Sequence, residues 1–424
     1  MKLILSTIIM FTAAFSLGAE KLNLSHLSAD ALKNHPRIAA MKADRDATKA
    51  RRDLSLVQFQ PKVSLNGYAA TGSGSMIFPS SVDPANYSLL PSDNTGVANA
   101  TLMWNLFAFG RDRDVASAGS FEVLSAESAI QTESLEVLFN LRTAFADALF
   151  KKDSLAGYQA ALESAKEVER TTQARLDAGK VPLAFALRAR ADTAKAEQEL
   201  VKAQADSEST EAKVWEAAGH DQGEENTLGD WDLKADAPKD LKTAIAIAWE
   251  KRPEVAVLKF QLSAAHSRQS AIAKSKLPEL NFMAMNDLMG ASGVRGSNTS
   301  KAGLVLSFPL GDGGQRNAES KEQKAMITRL EAEEKALRNR VSSEVAQSWA
   351  EWKAVEPMKT AAQAELLASD EGYRVAIIRY EEGKSILAEL TDYRSQLTYA
   401  RLSVAEADGY ERKAWSKLAR AIGQ

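Results

Sequence analysis

The chain has 424 residues, 45% of them hydrophobic and 26% charged, so it is long enough to bury a large core. Aromatic residues make up only 7%, a composition that favours closely packed helices over a sandwich or a doubly wound sheet. The net charge is −3 and the sequence contains no basic tract, so nucleic acid is not an expected partner. Because the chain has no cysteine, disulfides and a lipid-modified cysteine anchor are excluded.

Residues 1–19 are predicted to form an export signal. Lys2 supplies a positive start, residues 3–15 form an apolar run, and residues 17–19 (LGA) provide a cleavage site. The alternative, an uncleaved anchor, is disfavoured because the apolar run is short. After residue 19 the sequence has no run of about twenty apolar residues, so a membrane crossing would require strands closed into a barrel.

The first half predicts the order helix, strand, loop, strand, long helix, turn and helix. The long helix is expected over residues 111–178, which lack proline and place apolar residues at steps of three and four. Shorter helices are expected at 27–59 and 183–218. The stretch 73–94, rich in proline and serine, predicts a surface loop between the two strands.

The second half of the sequence repeats the first. Residues 30–36 (DALKNHP) are echoed by 247–253 (IAWEKRP), and RLDAGK at 175–180 is echoed by RYEEGK at 379–384. The offsets are 217 (253 − 36) and 204 (379 − 175), and the 13-residue difference falls in the turn-rich part of the first half. We therefore expect a first repeat at 20–218, a polar linker at 219–240 and a second repeat at 241–424, in which Pro357 and Gly372 predict a bend of the long helix.

Alternating apolar residues predict strands with one apolar side. Leu102, Trp104 and Leu106 alternate with polar or smaller neighbours, as do the large residues of 304–310, a pattern typical of strands in a membrane barrel. A half-buried soluble hairpin is the alternative. Four strands per chain cannot close a barrel, so two chains (2 × 4 = 8 strands) or three (3 × 4 = 12) are required, and the residues alone do not choose between them.

This duplicated pattern resembles the TolC-type outer-membrane efflux family over essentially the whole mature chain. The resemblance rests on Pro36 and Pro253, on residues 310–314 (LGDGG) and on the two Arg-x-x-x-Gly-Lys turns, in the same order in both halves. It implies a mainly α protein with a membrane β-barrel portion: a homotrimer with a 12-stranded barrel in outer-membrane lipid and a long α-helical tunnel in the periplasm. Residues 73–94 and 290–300 would be loops facing the exterior.

The implied function is that of a passive exit duct in a tripartite efflux or secretion system. Its partners would be a periplasmic adaptor (membrane fusion) protein and an inner-membrane pump. The two turns would form a periplasmic tip that docks the adaptor; the alternative is a pair of plain helical hairpins. The candidate docking residues are Arg175, Leu176, Gly179 and Lys180 in the first turn and Arg379, Tyr380, Gly383 and Lys384 in the second.

Glu389 and Asp392 are candidates for a periplasmic gate. They lie three residues apart on one helical face, at positions where the family carries acidic residues, so a trimer would contain two acidic rings. The alternative is a solvated helix face. Phe185 and Arg188 occupy the corresponding places in the first half (389 − 204 and 392 − 204), and we expect Arg188 to pair with Asp392 of the same or the next protomer.

No enzyme class is expected. The four histidines (His26, His35, His220, His266) lack metal-ligand spacing, so neither a metal nor a cofactor is predicted. Met283, Met285 and Met289 alternate within a strand, which favours packing in the wall of a barrel over a path of copper ligands. Residues 310–314 are rich in glycine but lack the lysine and the serine or threonine of a phosphate-binding loop. The competing hypothesis is a soluble periplasmic coiled-coil structural or adaptor protein; a hydrolase or oxidoreductase is third.

Overall fold

The computed structural model describes residues 21–71, 76–79, 87–90, 94–220, 227–291 and 294–424. The predicted export signal at 1–19 lies outside the described residues, as does most of the predicted loop at 73–94. Across the described parts of the chain, no helix combines the length and apolar character needed to span a membrane.

The first half contains four helices and most of the short strands. In chain order its elements are β1 (Lys21–Leu22), α1 (Leu24–Asn34), α2 (Pro36–Leu56), a 3-10 turn (Val57–Phe59), β2 (Lys62–Thr71), β3 (Met76–Pro79), β4 (Tyr87–Leu90), β5 (Asn94–Phe107), α3 (Arg111–Asp177) and α4 (Leu183–Ala218). Helix α3 begins at the predicted residue and ends one residue before the predicted end.

The second half repeats this order after the short strand β6 (Thr227–Leu228), which pairs in parallel with β1. Its elements are α5 (Leu241–Lys251), α6 (Pro253–Lys274), β7 (Glu279–Ala291), β8 (Val294–Ser307), α7 (Gln315–Glu381) and α8 (Leu387–Ala421). Helices α3 and α7 have 67 residues each, which corresponds to about 100 Å of helix at 1.5 Å per residue. The mainly helical, duplicated fold predicted from the sequence is confirmed.

The prediction of one continuous helix over 27–59 is wrong, because the chain breaks at His35. His35 has an extended backbone with ψ of 130°, the conformation that a following proline imposes on the residue before it. The second half breaks in the same way at Arg252, before Pro253, with ψ of 122°. The repeated proline therefore marks a helix boundary in both halves.

Helix α7 stays helical through Pro357 and Gly372, the two positions at which a bend is predicted. Gly372 has a packing reason of its own. A Cβ at this position would lie 3.2 Å from two ring atoms of Tyr393 in α8, which is closer than ordinary van der Waals contact. The glycine therefore allows α8 to approach α7.

The main sheet has four antiparallel strands in the order β2-β5-β7-β8. Strand β7 ends at Ala291 and β8 begins at Val294, so the exterior loop predicted at 290–300 is wrong: these residues mostly extend the hairpin. Strands β3 and β4 form a separate hairpin inside the predicted 73–94 loop.

The strand register divides the main sheet into two faces. The apolar face is defined by residues that pair across the strands and whose large side chains are exposed: Val63, Leu65, Trp104, Leu304 and Leu306. The polar face carries Asn66, Asn99, Asp287 and Lys301 together with several methionines. One apolar and one polar side per strand is the alternation that the sequence predicts.

Two compact units divide the chain. One consists of the described residues within 21–39, 133–252 and 341–424, and the other of those within 40–132 and 253–340. The second unit contains the main sheet and a core of Ala265, Ile327 and Leu330, against which Leu258 and Leu262 pack. The first unit contains both turns between long helices.

Candidate functional site at the helical hairpin turns

Tight turns join α3 to α4 and α7 to α8. Gly179 and Gly383 adopt positive φ values of 69° and 73°, a region in which other residues are strained. Each glycine N–H and the N–H of the following lysine donate to carbonyls of the preceding helical turn, at 2.8 to 3.0 Å. These paired bonds close the helix ends in a Schellman arrangement, so the turn geometry itself requires the glycines.

A buried cluster packs the helices together next to the turns. Its buried members are Val168, Ala189, Ala376, Tyr380, Leu387 and Leu390, and the half-buried Phe185, Tyr373, Ile377 and Tyr393 pack against them. Phe185 occupies the place in the first half that corresponds to Glu389 in the second. Its contact with this cluster gives a packing reason for an aromatic residue there instead of an acid.

Tyr380, a candidate docking residue, is only 4% exposed. Its hydroxyl shares a 3.0 Å hydrogen bond with that of Thr172, and the Arg175 guanidinium carbon lies 4.5 Å from its ring centroid. Arg175 also donates through Nη2 to the backbone oxygen of Glu381 at 2.7 Å. Arg175 and Tyr380 therefore fasten α3 to the second turn, and Tyr380 has little surface left for a partner.

The remaining docking candidates are more accessible. Lys180, Arg379 and Lys384 are exposed and Leu176 is half-buried. Lys384 forms an ion pair with Glu382 at 2.8 Å. The tip also presents two large apolar side chains that the sequence analysis missed, Leu183 (60% exposed) and Ile386 (62% exposed).

The two candidate gate acids differ in their surroundings. Glu389 accepts a hydrogen bond from the Ser385 hydroxyl at 2.7 Å, and Arg379 lies 3.7 Å from its other oxygen. Asp392 is exposed and accepts from the Gln396 amide at 3.0 Å, with no cationic partner among the described residues. The charge of Glu389 is thus partly compensated, whereas that of Asp392 is not.

Arg188 is exposed on α4, and the structure shows no ion pair between it and Asp392 in the described part of the protomer. A different pair joins α4 to α8. Asp192 accepts from the Thr391 hydroxyl at 3.4 Å and lies 3.9 Å from Arg394. The sequence analysis missed this contact because no local spacing relates residues about 200 positions apart.

A groove of about 660 Å³ runs between α3, α4 and α8 in the same unit. Its charged lining is largely arranged in pairs. Lys151 lies 3.0 Å from Asp206 and, by donating a hydrogen bond to it, lowers the pKa of that carboxyl. Asp192 and Arg394 form another pair in the wall. Among the described residues, no group of three or more His, Cys, Asp or Glu side chains could hold a metal ion.

Fold and site together define a class of protein. A four-stranded sheet with one exposed apolar face, combined with paired long helices that end in glycine turns, is the architecture expected of a channel protomer. The comparisons with known proteins support this class. A family model described as "Outer membrane efflux protein" matches residues 27–220 and 244–424, and the chain therefore belongs to the outer membrane efflux protein family.

A curated relative and solved structures agree with this membership. The chain is 20% identical over 321 residues to the outer membrane efflux protein BepC of Brucella suis biovar 1 (strain 1330), covering 74% of this chain and 69% of BepC. The fold is similar to that of VceC from Vibrio cholerae (TM-score 0.80, 15% identity, 94% of this chain and 96% of VceC). It is also similar to CmeC from Campylobacter jejuni (TM-score 0.80, 15% identity, 94% and 85%).

The chain is thus an outer-membrane exit duct of an efflux system, with a large periplasmic helical portion. The family consists of transport channels and not of enzymes. The sequence-based predictions of outer-membrane location and of a channel function are confirmed.

Proposed function

We propose that three copies of this chain form the duct and that their Asp392 side chains line its periplasmic entrance. Strands β2 and β8 are the two edges of the main sheet, and their outer backbone groups would be unsatisfied in lipid. Joining β2 of one protomer to β8 of the next satisfies them, and three chains give 3 × 4 = 12 strands. An adaptor protein and an inner-membrane pump complete the assembly.

The proposed gate rests on the exposure and the uncompensated charge of Asp392. It is an exposed carboxylate without a cationic partner in the described residues, one helical turn from Glu389. Three such groups around a narrow opening would attract cations and repel anions. Because Arg379 lies close to Glu389, Asp392 contributes the larger share of the field.

Single-channel conductance in a planar bilayer tests this gate. Asp392→Asn should reduce cation selectivity strongly, and Glu389→Gln should reduce it less. Asp177→Asn is the matched control, because Asp177 is also an exposed acid beside a turn and accepts from a glutamine on its own helix, at 2.9 Å. Equal selectivity in Asp392→Asn and Asp177→Asn would remove Asp392 from the gate.

Arg188 would close this entrance by pairing with Asp392 of a neighbouring protomer, since the two are not paired within one protomer. Cysteines at 188 and 392 should therefore cross-link between chains and produce covalent multimers on a denaturing gel. A cross-link that leaves only monomers would place the pair inside one chain, and its complete absence in every state would refute the pairing.

The exposed tip residues form the second proposed site, a docking surface for the adaptor. Leu183 and Ile386 offer apolar contact, and Lys180 and Arg379 offer positive charge beside it. Exposed apolar patches on otherwise polar surfaces commonly mark protein interfaces.

Docking is tested in cells that express the chain with its pump and adaptor. Leu183→Ser should raise the accumulation of a fluorescent efflux substrate, while the amount of channel in the membrane and its conductance in bilayers stay unchanged. Val201→Ser is the matched control, because Val201 is an equally exposed apolar residue (64%) farther along α4. Unchanged efflux in Leu183→Ser would exclude Leu183 from the docking surface.

A further inference from the structure

His35 ends one helix and begins the next at the corner between α1 and α2. Its backbone N–H donates to the Ala31 oxygen at 2.9 Å, and its own backbone oxygen accepts from the Ala39 N–H at 3.1 Å. Its side chain contributes as well, because Nδ1 accepts from the backbone N–H of Arg37 at 3.2 Å. Arg37 is the second residue of α2, so His35 is the N-cap of this helix and satisfies one of the N–H groups that a helix start leaves without a partner.

An imidazole caps a helix only while it is neutral. Nδ1 accepts a hydrogen bond when the ring proton is on Nε2, whereas both ring nitrogens donate once the ring is protonated. A protonated His35 would therefore place an N–H against the N–H of Arg37, and the cap would be lost. Burial, followed by the charge of Arg37, lowers the pKa of His35, so the cap is complete at neutral pH and is lost as the pH falls through this lowered pKa.

Charged and titratable groups approach this corner from all four elements that meet there. Arg37 of α2 forms an ion pair with Glu133 of α3 at 2.6 Å. Asp30 of α1 faces His220 after the end of α4, with Oδ2 2.7 Å from the imidazole Nε2. Both carboxylates are therefore already engaged when His35 takes up a proton. Protonation of His220 strengthens its contact with Asp30, so acid keeps the end of α4 on α1.

The end of α4 packs directly on the His35 ring. Gly219 has a φ of 79°, and a Cβ on it would lie 2.8 Å from the ring carbon Cδ2 of His35 and 3.0 Å from Cδ of Pro36. Such distances leave no space for a side chain at Gly219 or for the ring to turn toward it. A protonated ring can therefore reach a new acceptor only if the start of α2 or the end of α4 moves.

The corresponding corner of the second repeat lacks a titrating cap. Arg252 occupies the place of His35 (35 + 217 = 252), and Gly423 that of Gly219 (219 + 204 = 423). The packing is equally close, because a Cβ on Gly423 would lie 3.0 Å from the backbone just before Arg252. The Arg252 guanidinium has no acceptor atom and keeps its charge, and it faces Glu344 at 2.5 Å. One repeat thus carries a titrating cap where the other carries a permanent charge.

We propose that the first-repeat corner, residues 30–39 with 219–220, is an acid-sensitive joint in which protonation of His35 releases the start of α2. The second-repeat corner around Arg252 stays closed under the same conditions. The joint makes one of the two repeats of the duct respond to acid. It is independent of the trimer, the gate and the docking surface, because all its residues belong to one protomer and to one compact unit.

Amide hydrogen exchange of both corners in one sample of the purified channel tests the joint. Residues 36–45 report the first-repeat corner, where the Ala39 N–H donates to His35, and residues 253–262 report the second. Exchange is measured at about pH 7.5 and about pH 4.5, on either side of the histidine range, and is expressed as protection relative to the intrinsic rate at each pH. We expect the protection of the first corner relative to the second to fall about fivefold in acid, the factor for the loss of one N-cap.

His35→Asn is the decisive variant, because an asparagine side chain caps helices with an oxygen that does not titrate. It should hold the ratio of the two protections constant between the two pH values, whereas His220→Gln should retain the fall. An equal fall in the parent and in His35→Asn, or an equal loss at both corners of the parent, would overturn the joint. Loss of the response in His220→Gln alone would overturn its assignment to His35. If His35→Asn does not assemble, His35→Ser provides the same test with another non-titrating cap.

Discussion

The hydrogen bond between Thr172 and Tyr380 offers a sharp perturbation of the tip, because it joins α3 to α7 through two buried side chains. Tyr380→Phe removes one hydroxyl and keeps the ring on which Arg175 lies. Thr172 is 0% exposed and has no other side-chain partner in the described part of the chain. Its hydroxyl is then buried without a partner, which costs about 1–2 kcal/mol and corresponds to about a 5- to 30-fold rise in local opening.

Amide hydrogen exchange of the second turn measures this effect. The N–H groups of Gly383 and Lys384 donate to the backbone oxygens of Tyr380 and Arg379 at 3.0 and 2.8 Å, so they exchange when the turn opens. Their protection should fall by the stated factor in Tyr380→Phe. Adding Thr172→Val should recover most of it, because removing both partners of a buried hydrogen bond is nearly neutral.

Tyr399→Phe is the control for the loss of a tyrosine hydroxyl. Tyr399 is 71% exposed on α8, so its variant should leave the two amides unchanged. The reasoning is refuted if Tyr380→Phe lowers protection no more than Tyr399→Phe does. It is also refuted if the double variant loses the sum of the two single losses, because the hydroxyls would then be energetically independent.

Three further perturbations follow from the same structure. Gly383→Ala should destabilise the second turn by about 1–2 kcal/mol because Gly383 has a positive φ. Gly311→Ala is the control: a Cβ there also meets no atom within 4 Å, but Gly311 has no positive φ, so this variant should leave the amide exchange of the second turn unchanged. Glu344→Gln should lower the thermal midpoint, because it removes the charge that faces the buried guanidinium of Arg252 at 2.5 Å. Since the Glu344 side chain is 32% exposed, the loss should stay below the about 3–5 kcal/mol that breaking a fully buried pair costs; an unchanged midpoint would contradict this. Burial, and to a smaller extent the nearby charge of Arg37, lowers the pKa of His35. The stability that neutral His35 contributes is therefore complete above about pH 6.5 and is lost as the pH falls through the lowered pKa. The thermal midpoint should fall accordingly between neutral and acidic pH, and His35→Gln should make this fall smaller.

The sequence predicts the elements whose signals are local. The limits of α3 follow from a long run without proline and with a helical period, and the positions of both turns follow from the glycines. The break at His35 also had a local signal, because the residue before Pro36 is restricted to extended conformations. The predicted helix over 27–59 is wrong because it takes no account of this restriction at His35.

Contacts between distant helices could not be predicted in this way. The bonds from Thr172 to Tyr380 and from Asp192 to Thr391 depend on the register between α3 and α7 and between α4 and α8. That register is set by the whole packed seam and not by the spacing of a few residues. The sequence therefore identified Tyr380 as a candidate but could not show that its hydroxyl is buried.

Duplicated positions have diverged in their surroundings, and this divergence explains how one repeated chain can build two different surfaces. Leu183 and Leu387 correspond at the offset of 204 (387 − 183), yet Leu183 is 60% exposed and Leu387 is 2% exposed. Phe185 packs against the buried cluster, while Glu389, its counterpart, makes polar contacts with Ser385 and Arg379. The first turn thus exposes Leu183 and packs Phe185 inside, whereas the second turn buries Leu387 and carries the acid Glu389 in place of the aromatic ring. An exact duplication would place the same side chains at both turns, whereas in this chain both turns expose an apolar residue, Leu183 or Ile386, and only the second carries an acid at the position of Phe185.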